Sequence, residues 1–178
     1  MDIARAKNYT RMQEEFNLDS LVDYFIIDQI MGEHDHAKKS FNMYHAATSS
    51  DEREVGKLSF GPIWDYDWCL HTPWTGQPNS YYEIHTDSNY SNAFFRAVRD
   101  IAPLYQQAKE RYQYHFYPAI MEFLPELYQL QADMKDSYSL NALRWYSGRP
   151  TITTDNINFL NDYLNVTLEH FRVKWKLS

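Results

Sequence analysis

Apolar residues recur every three or four positions in several stretches of the chain, and each such stretch is predicted to be a helix. The clearest one is SLVDYFIIDQIMGE, in which apolar residues cover most of the helix circumference, as expected of a helix at the centre of a domain. Asp19 is predicted to cap this helix and Gly32 to end it. A short polar helix is predicted upstream, over residues 2–16, and Asn17 ends it.

The pattern changes after the central helix. Phe41 and Met43 alternate with polar residues in a predicted short strand, and residues 48–54 form a polar connection. Residues 55–64 are predicted to return as a second, antiparallel strand. Residues 71–92 have no clear period, and this length is unusual for a structureless loop in a compact domain.

The remainder is predicted to be helical. One helix covers residues 93–100, and another begins at Pro103 and breaks at Pro118 and Pro125. A last helix begins after Thr153 or Thr154, with apolar residues in steps of three and four. We therefore expect one mainly α domain (α+β) over residues 1–178, with one small antiparallel β-hairpin.

Composition narrows the classes of partner. The 178 residues carry a formal charge of −7 without a basic stripe, which argues against nucleic acid. No run is apolar enough to predict membrane insertion, and the start of the chain lacks a signal peptide. Cys69 is the single cysteine, so the cysteine count does not indicate whether the protein occupies an oxidising or a reducing compartment. Fifteen tyrosines fit either a ring-rich helical core or a sugar-binding surface.

Two acids end the predicted second strand in the sequence WDYDW. Asp65 and Asp67 are spaced two apart, so on an extended segment their side chains point to one side and could share a hard cation such as Mg²⁺. The alternative is a strand end whose acids face solvent.

A third acid lies in the polar loop after the central helix. Asp35, between His34 and His36, could receive a proton from an attacking hydroxyl in metal-assisted phosphoryl transfer. It could instead be a turn aspartate. The histidines also leave a zinc site open, formed from His34, His36, His45 and His71. No glycine-rich phosphate-binding motif occurs in the chain.

Several segments in order resemble the CotH family, the atypical protein kinases similar to spore coat protein H. They are LDSLVDYFIIDQIMGEHDHAKKSFNMY, GKLSFGPIWDYDW, FYPAIMEFLPELYQL and FLNDYLNVTLEHFRVKW. The resemblance implies the C-terminal lobe of a kinase-like fold, with Asp35 as the catalytic-loop aspartate, Asp65 as a metal-binding aspartate and Asp67 as its companion. It further implies Mg²⁺ and ATP as cofactors, Ser or Thr of surface or coat proteins as acceptors, and an exported or cell-surface bacterial protein.

The chain also departs from that pattern. We expect the nucleotide-binding portion to lie outside it, so that these residues alone are inactive. Kinase catalytic loops place a metal-binding Asn five residues after the catalytic Asp; Ser40 occupies that position, and Asn42 lies two further on. Either could serve. The rival hypothesis is a non-catalytic module that binds polysaccharide or coat protein through three exposed rings, Trp74, Tyr81 and Tyr82.

Overall fold

The computed structural model describes residues 2–32, 39–45, 55–66, 69–70, 92–145 and 154–177, with the side chains of the last segment described from residue 157 onward. The fold within these ranges is mostly helical and includes one small two-stranded antiparallel sheet. The predicted fold class is therefore confirmed. The chain forms two compact units, residues 1–112 and 113–178.

The first unit contains the sheet and the central helix. Its elements are α1 (Asp2–Arg5), α2 (Tyr9–Glu15), α3 (Leu18–Met31), β1 (Met43–His45), β2 (Leu58–Phe60), α4 (Ala93–Asp100) and α5 (Ala102–Arg111). β1 and β2 pair with Met43 opposite Phe60 and His45 opposite Leu58. Helix α3 is buried along most of its length, as its pattern predicts, and contacts α4, α5 and β2.

The start of α3 is set by Asn17. The side chain of Asn17 accepts a hydrogen bond from the backbone N–H of Ser20 at 3.3 Å, so the predicted cap at Asp19 is wrong. Asp19 lies in the first turn, where its charge favours the positive end of the helix dipole. Gly32 ends the helix in the left-handed conformation, as predicted, at φ 62°.

Three predicted boundaries differ from the structure. Residues 2–16 form two helices because Lys7 adopts a left-handed backbone at φ 52°. The second strand is only three residues long. In the long helical region, a π-helical stretch (Tyr112–Phe116) precedes Pro118, which has no N–H to continue the α-helical ladder.

The second unit consists of helices. They are α6 (Tyr117–Phe123), α7 (Glu126–Asp133), α8 (Lys135–Trp145) and α9 (Thr154–Lys174). A turn at Pro125 separates α6 from α7, as predicted, whereas the break at Met134 between α7 and α8 was not expected. Helix α9 packs on α7. Six apolar residues along α9 and at its end are spaced by three and four. Leu164, Leu168, Phe171 and Trp175 are buried, whereas Ile157 and Leu160 are partly exposed.

Candidate active site

Asp65 lies five residues beyond β2, on an exposed segment with an unusual backbone. The chain leaves β2 through a cis Gly61–Pro62 peptide bond, and Asp65 itself adopts the left-handed conformation at φ 66°. Few residues other than glycine adopt this conformation, although aspartate tolerates it better than most. Such backbone geometry is common at functional sites. Asp67 lies outside the described residues.

Ser40 contacts Asp65 from the other side of the hairpin. The hydroxyl of Ser40 donates a hydrogen bond to Oδ2 of Asp65 at 2.8 Å, which joins two segments separated by 25 residues in sequence. Ser40 is the residue five positions after Asp35, where the kinase pattern places a metal-binding side chain. The structure therefore brings together two of the oxygen-bearing side chains that the sequence singles out.

Asn42 points elsewhere. Its side-chain amide nitrogen donates to the carbonyl oxygen of Pro62 at 3.4 Å, and the backbone carbonyl of Asn42 accepts from the backbone N–H of Gly61 at 3.0 Å. Both contacts continue the pairing of β1 with the segment that follows β2. Asn42 thus has a structural role in the hairpin, and the side chain beside Asp65 is that of Ser40.

The position of Ser40 depends on Tyr24 in α3. The Tyr24 hydroxyl donates to the carbonyl oxygen of Ser40 at 3.2 Å, and its ring stacks on that of Phe41 with centroids 5.2 Å apart. Burial raises the pKa of Tyr24 to about 12, and the negative charge of Asp28 one turn further along α3 acts in the same direction. Tyr24 therefore keeps its proton, and its donor hydrogen bond, at every physiological pH.

An aromatic cluster surrounds Phe41. Its ring contacts those of Phe60 from β2 and of Phe94 and Phe95 from α4, at centroid distances of 5.6–6.0 Å. Packing of this kind fixes the backbone of residues 40–42 against α3 and α4. Sequence analysis did not identify Tyr24 or the buried Asp28 as relevant to the site. The available signal was an acidic residue one turn after a tyrosine in an otherwise apolar helix.

Asp35 lies outside the described residues, but the residues on both sides of positions 33–38 are described. On one side, α3 ends at Gly32, and the carbonyl of the preceding Met31 accepts a hydrogen bond from the backbone N–H of Leu70 at 2.6 Å. On the other side, Ser40 contacts Asp65. Leu70 thus lies at the end of α3, which is four residues before Asp35 in the sequence.

The remaining sequence-based alternatives are not tested by these ranges. His34, His36 and His71 of the zinc hypothesis lie outside the described residues, as do the three rings of the binding-module hypothesis, Trp74, Tyr81 and Tyr82. His45 lies exposed on β1. Within the described ranges, no group of three or more His, Cys, Asp or Glu side chains is placed to hold a metal ion.

A separate cavity of about 200 Å³ lies elsewhere in the first unit. Its wall is formed by α2, the start of α3, α5 and Lys57, and neither Ser40 nor Asp65 contributes to it. Gln107 donates to Asp19 at 2.5 Å along this wall. The cavity is therefore distinct from the pair of oxygens at the end of the hairpin.

Residues 2–169 match the family profile described as CotH kinase protein. The chain belongs to the CotH kinase family, as its resemblance predicts. No curated protein and no solved structure matches the chain. Among the helices that the structure describes, none is both long enough and apolar enough to cross a membrane.

Proposed function

We propose that this chain is the C-terminal catalytic lobe of a CotH-like protein kinase. The reaction is transfer of the γ-phosphate of ATP to the hydroxyl of Ser or Thr in a surface or coat protein. The observation that carries the proposal is the contact between Ser40 and Asp65, at the end of a hairpin held by buried rings. Family membership supports kinase chemistry in general.

Asp65 is the proposed ligand of Mg²⁺, with Asp67 as its companion. Mg²⁺ prefers oxygen ligands such as carboxylates and hydroxyls. A site with few protein ligands leaves coordination positions for phosphate oxygens and water. The exposed position of Asp65 suits a ligand that arrives from solvent. When bound, the cation would neutralise charge on the β- and γ-phosphates.

Asp35 is the proposed catalytic residue. It would orient the acceptor hydroxyl and take its proton while the acceptor oxygen bonds to the γ-phosphorus and the bond to the bridging oxygen of ADP breaks. Asp35 precedes Ser40 by five residues, so their Cα atoms lie within roughly 18 Å even in a fully extended chain. Among the described residues on either side of Asp35, Ser40 hydrogen-bonds Asp65 and Met31 hydrogen-bonds Leu70.

We further propose that the natural acceptor is a protein, and that the protein acts at the cell surface or in a coat. Both statements extend the family assignment to this chain. They depend on phosphoryl transfer being its reaction. Recovery of labelled Ser or Thr from a surface fraction would support them.

The proposed function is tested with Asp65→Asn and Asp35→Asn in the complete gene product. Incubation with γ-³²P-labelled ATP and a Ser/Thr-containing acceptor should show labelling that falls by about a hundredfold or more in either variant, since each removes a group that acts in the transition state. Asp136→Asn, on the exposed face of α8, is the matched control and should label normally. Labelling that persists in Asp65→Asn would contradict the proposal.

A further inference from the structure

Ser40 and Asp65 present two oxygen atoms to the same point from different parts of the chain. Ser40 Oγ and Asp65 Oδ2 are 2.8 Å apart. In an octahedral Mg²⁺ shell with bonds of about 2.0–2.1 Å, neighbouring ligand oxygens are separated by roughly 2.9 Å. The two atoms are thus already spaced as adjacent ligands of one hard cation.

The supporting residues hold Ser40 in place without using its hydroxyl. Tyr24, with 2% of its surface exposed, hydrogen-bonds the backbone carbonyl of Ser40, and the neighbouring Phe41 is packed among rings from α3, β2 and α4. The side chain of Ser40 therefore remains available to turn from its hydrogen bond with Asp65 to a shared cation. Outer contacts of this kind increase metal affinity because less conformational freedom is lost on binding.

We infer that Ser40 is the second protein ligand of the cation at Asp65, in the position where other kinases use an asparagine. This inference rests on the proposed function, because it assigns a further residue to the metal site of that reaction. Asn42 is the weaker candidate, because its side-chain amide nitrogen donates to the carbonyl oxygen of Pro62, whereas the Ser40 hydroxyl contacts Asp65 directly. These contacts favour Ser40 of the two residues that the spacing left open.

The chemical consequence is a weaker and more adaptable site. A serine hydroxyl is a neutral oxygen on a short side chain. The side-chain carbonyl oxygen of asparagine is a better metal ligand and reaches further from the backbone. Ser40→Asn should therefore bind the cation as tightly as the natural chain or more tightly. Ser40→Ala should bind it more weakly, because water must take the vacated position.

The test is a Mn²⁺ titration of the purified chain, with Mn²⁺ as a paramagnetic substitute for Mg²⁺. Free Mn²⁺ is measured by electron paramagnetic resonance, and broadening of backbone amide signals in NMR spectra locates the ion. The natural chain should lose the signals of residues 40, 41 and 65 first. Ser40→Ala should weaken apparent affinity on the order of tenfold, as loss of contacts around a metal commonly does.

Three variants complete the experiment. Ser139→Ala, which removes a hydroxyl bonded only within α8, is the matched control and should bind as the natural chain does. Tyr24→Phe removes the hydrogen bond to Ser40 but keeps the ring, and it should weaken binding less than Ser40→Ala. Asp65→Asn should abolish the localised broadening.

The outcomes separate this inference from the proposed function. If Asp65→Asn abolishes binding while Ser40→Ala and Ser139→Ala both bind normally, the role of Ser40 is refuted and the role of Asp65 stands. If the natural chain and Asp65→Asn bind Mn²⁺ equally, there is no cation site at Asp65, and both proposals fail. Circular dichroism spectra of every variant establish that the fold is intact.

Discussion

The two units of this chain bury their apolar side chains to different degrees. Among the described residues of the first unit, seven rings form one contact network, made of Phe16, Tyr24, Phe25, Phe41, Phe60, Phe94 and Phe95. In the second unit, many large apolar residues lie on the surface, and Leu140, Leu143 and Trp145 of α8 are 67–70% exposed. Both units nevertheless consist largely of helices.

The difference shows what the site requires. Residues 39–42 and 61–66 are irregular in backbone. Packing of the Phe41 ring against Tyr24, Phe60, Phe94 and Phe95 holds the first segment, and the hydrogen bond from Ser40 to Asp65 joins the second segment to it. The helices of the second unit satisfy their own backbone groups and need less support from packing. The dense aromatic core of the first unit therefore lies beside the irregular segment that holds Ser40 of the proposed site.

The largest effect is expected from Phe95→Ala. Phe95 is 1% exposed and contacts Tyr24, Phe25 and Phe41, so its removal should lower the free energy of unfolding of the first unit by about 3–5 kcal/mol. Urea unfolding followed by NMR signals of each unit measures this. Phe159→Ala, at a ring 40% exposed on α9, is the control and should cost less than about 1 kcal/mol. Equal losses would refute the contrast between the units.

An intermediate effect is expected within α8 itself. Ala142 is 3% exposed while its neighbour Leu143 is 70% exposed. Ala142→Leu should destabilise the second unit by about 1–3 kcal/mol through overpacking. Leu143→Gln should change its stability by no more than about 0.5 kcal/mol. The same urea titration measures both, and a large loss from Leu143→Gln would show that this exposed face has a packing role.

The smallest effect concerns Asp100 at the end of α4. Hydrogen bonds from Arg99 and Lys7 lower the pKa of Asp100 to about 2, from an ordinary value of 3.8. A lowered pKa stabilises the folded state above pH 4, and this contribution is lost as the pH falls toward 2. Its size should stay below about 1 kcal/mol because both cations are partly exposed.

Asp100→Asn should remove that pH dependence. The measurement is urea unfolding of the natural chain and of Asp100→Asn between pH 2 and pH 5. The difference between their free energies of unfolding should become smaller as the pH falls toward 2. The control is Asp133→Asn, whose carboxylate accepts a hydrogen bond from the neutral Gln129. A difference that stays constant across this range would contradict the assigned cause.

Periodicity predicted the long elements and missed what tertiary contacts decide. Helices α3, α4 and α9 follow from apolar spacing, and the family assignment follows from the order of four segments. The cap at Asn17 was missed because Asp19 has an equally suitable side chain in the same turn. The contacts from Tyr24 to Ser40 and from Ser40 to Asp65 join residues 16 and 25 positions apart, and no spacing rule predicts them.

The polar contacts at the start of α3 have a consequence for strand alignment. Asn17 donates its side-chain amide to Ser59 Oγ at 3.2 Å and its backbone N–H to the carbonyl of Leu58 at 2.9 Å, while Ser20 Oγ accepts from the backbone N–H of Phe60 at 3.0 Å. Two strands of three residues would by themselves allow a slip by one position, which would turn Phe60 out of the core. The hydrogen bonds from the start of α3 prevent that slip. A substitution at Asn17 or Ser20 should therefore displace Asp65, which follows β2, although neither residue contacts it.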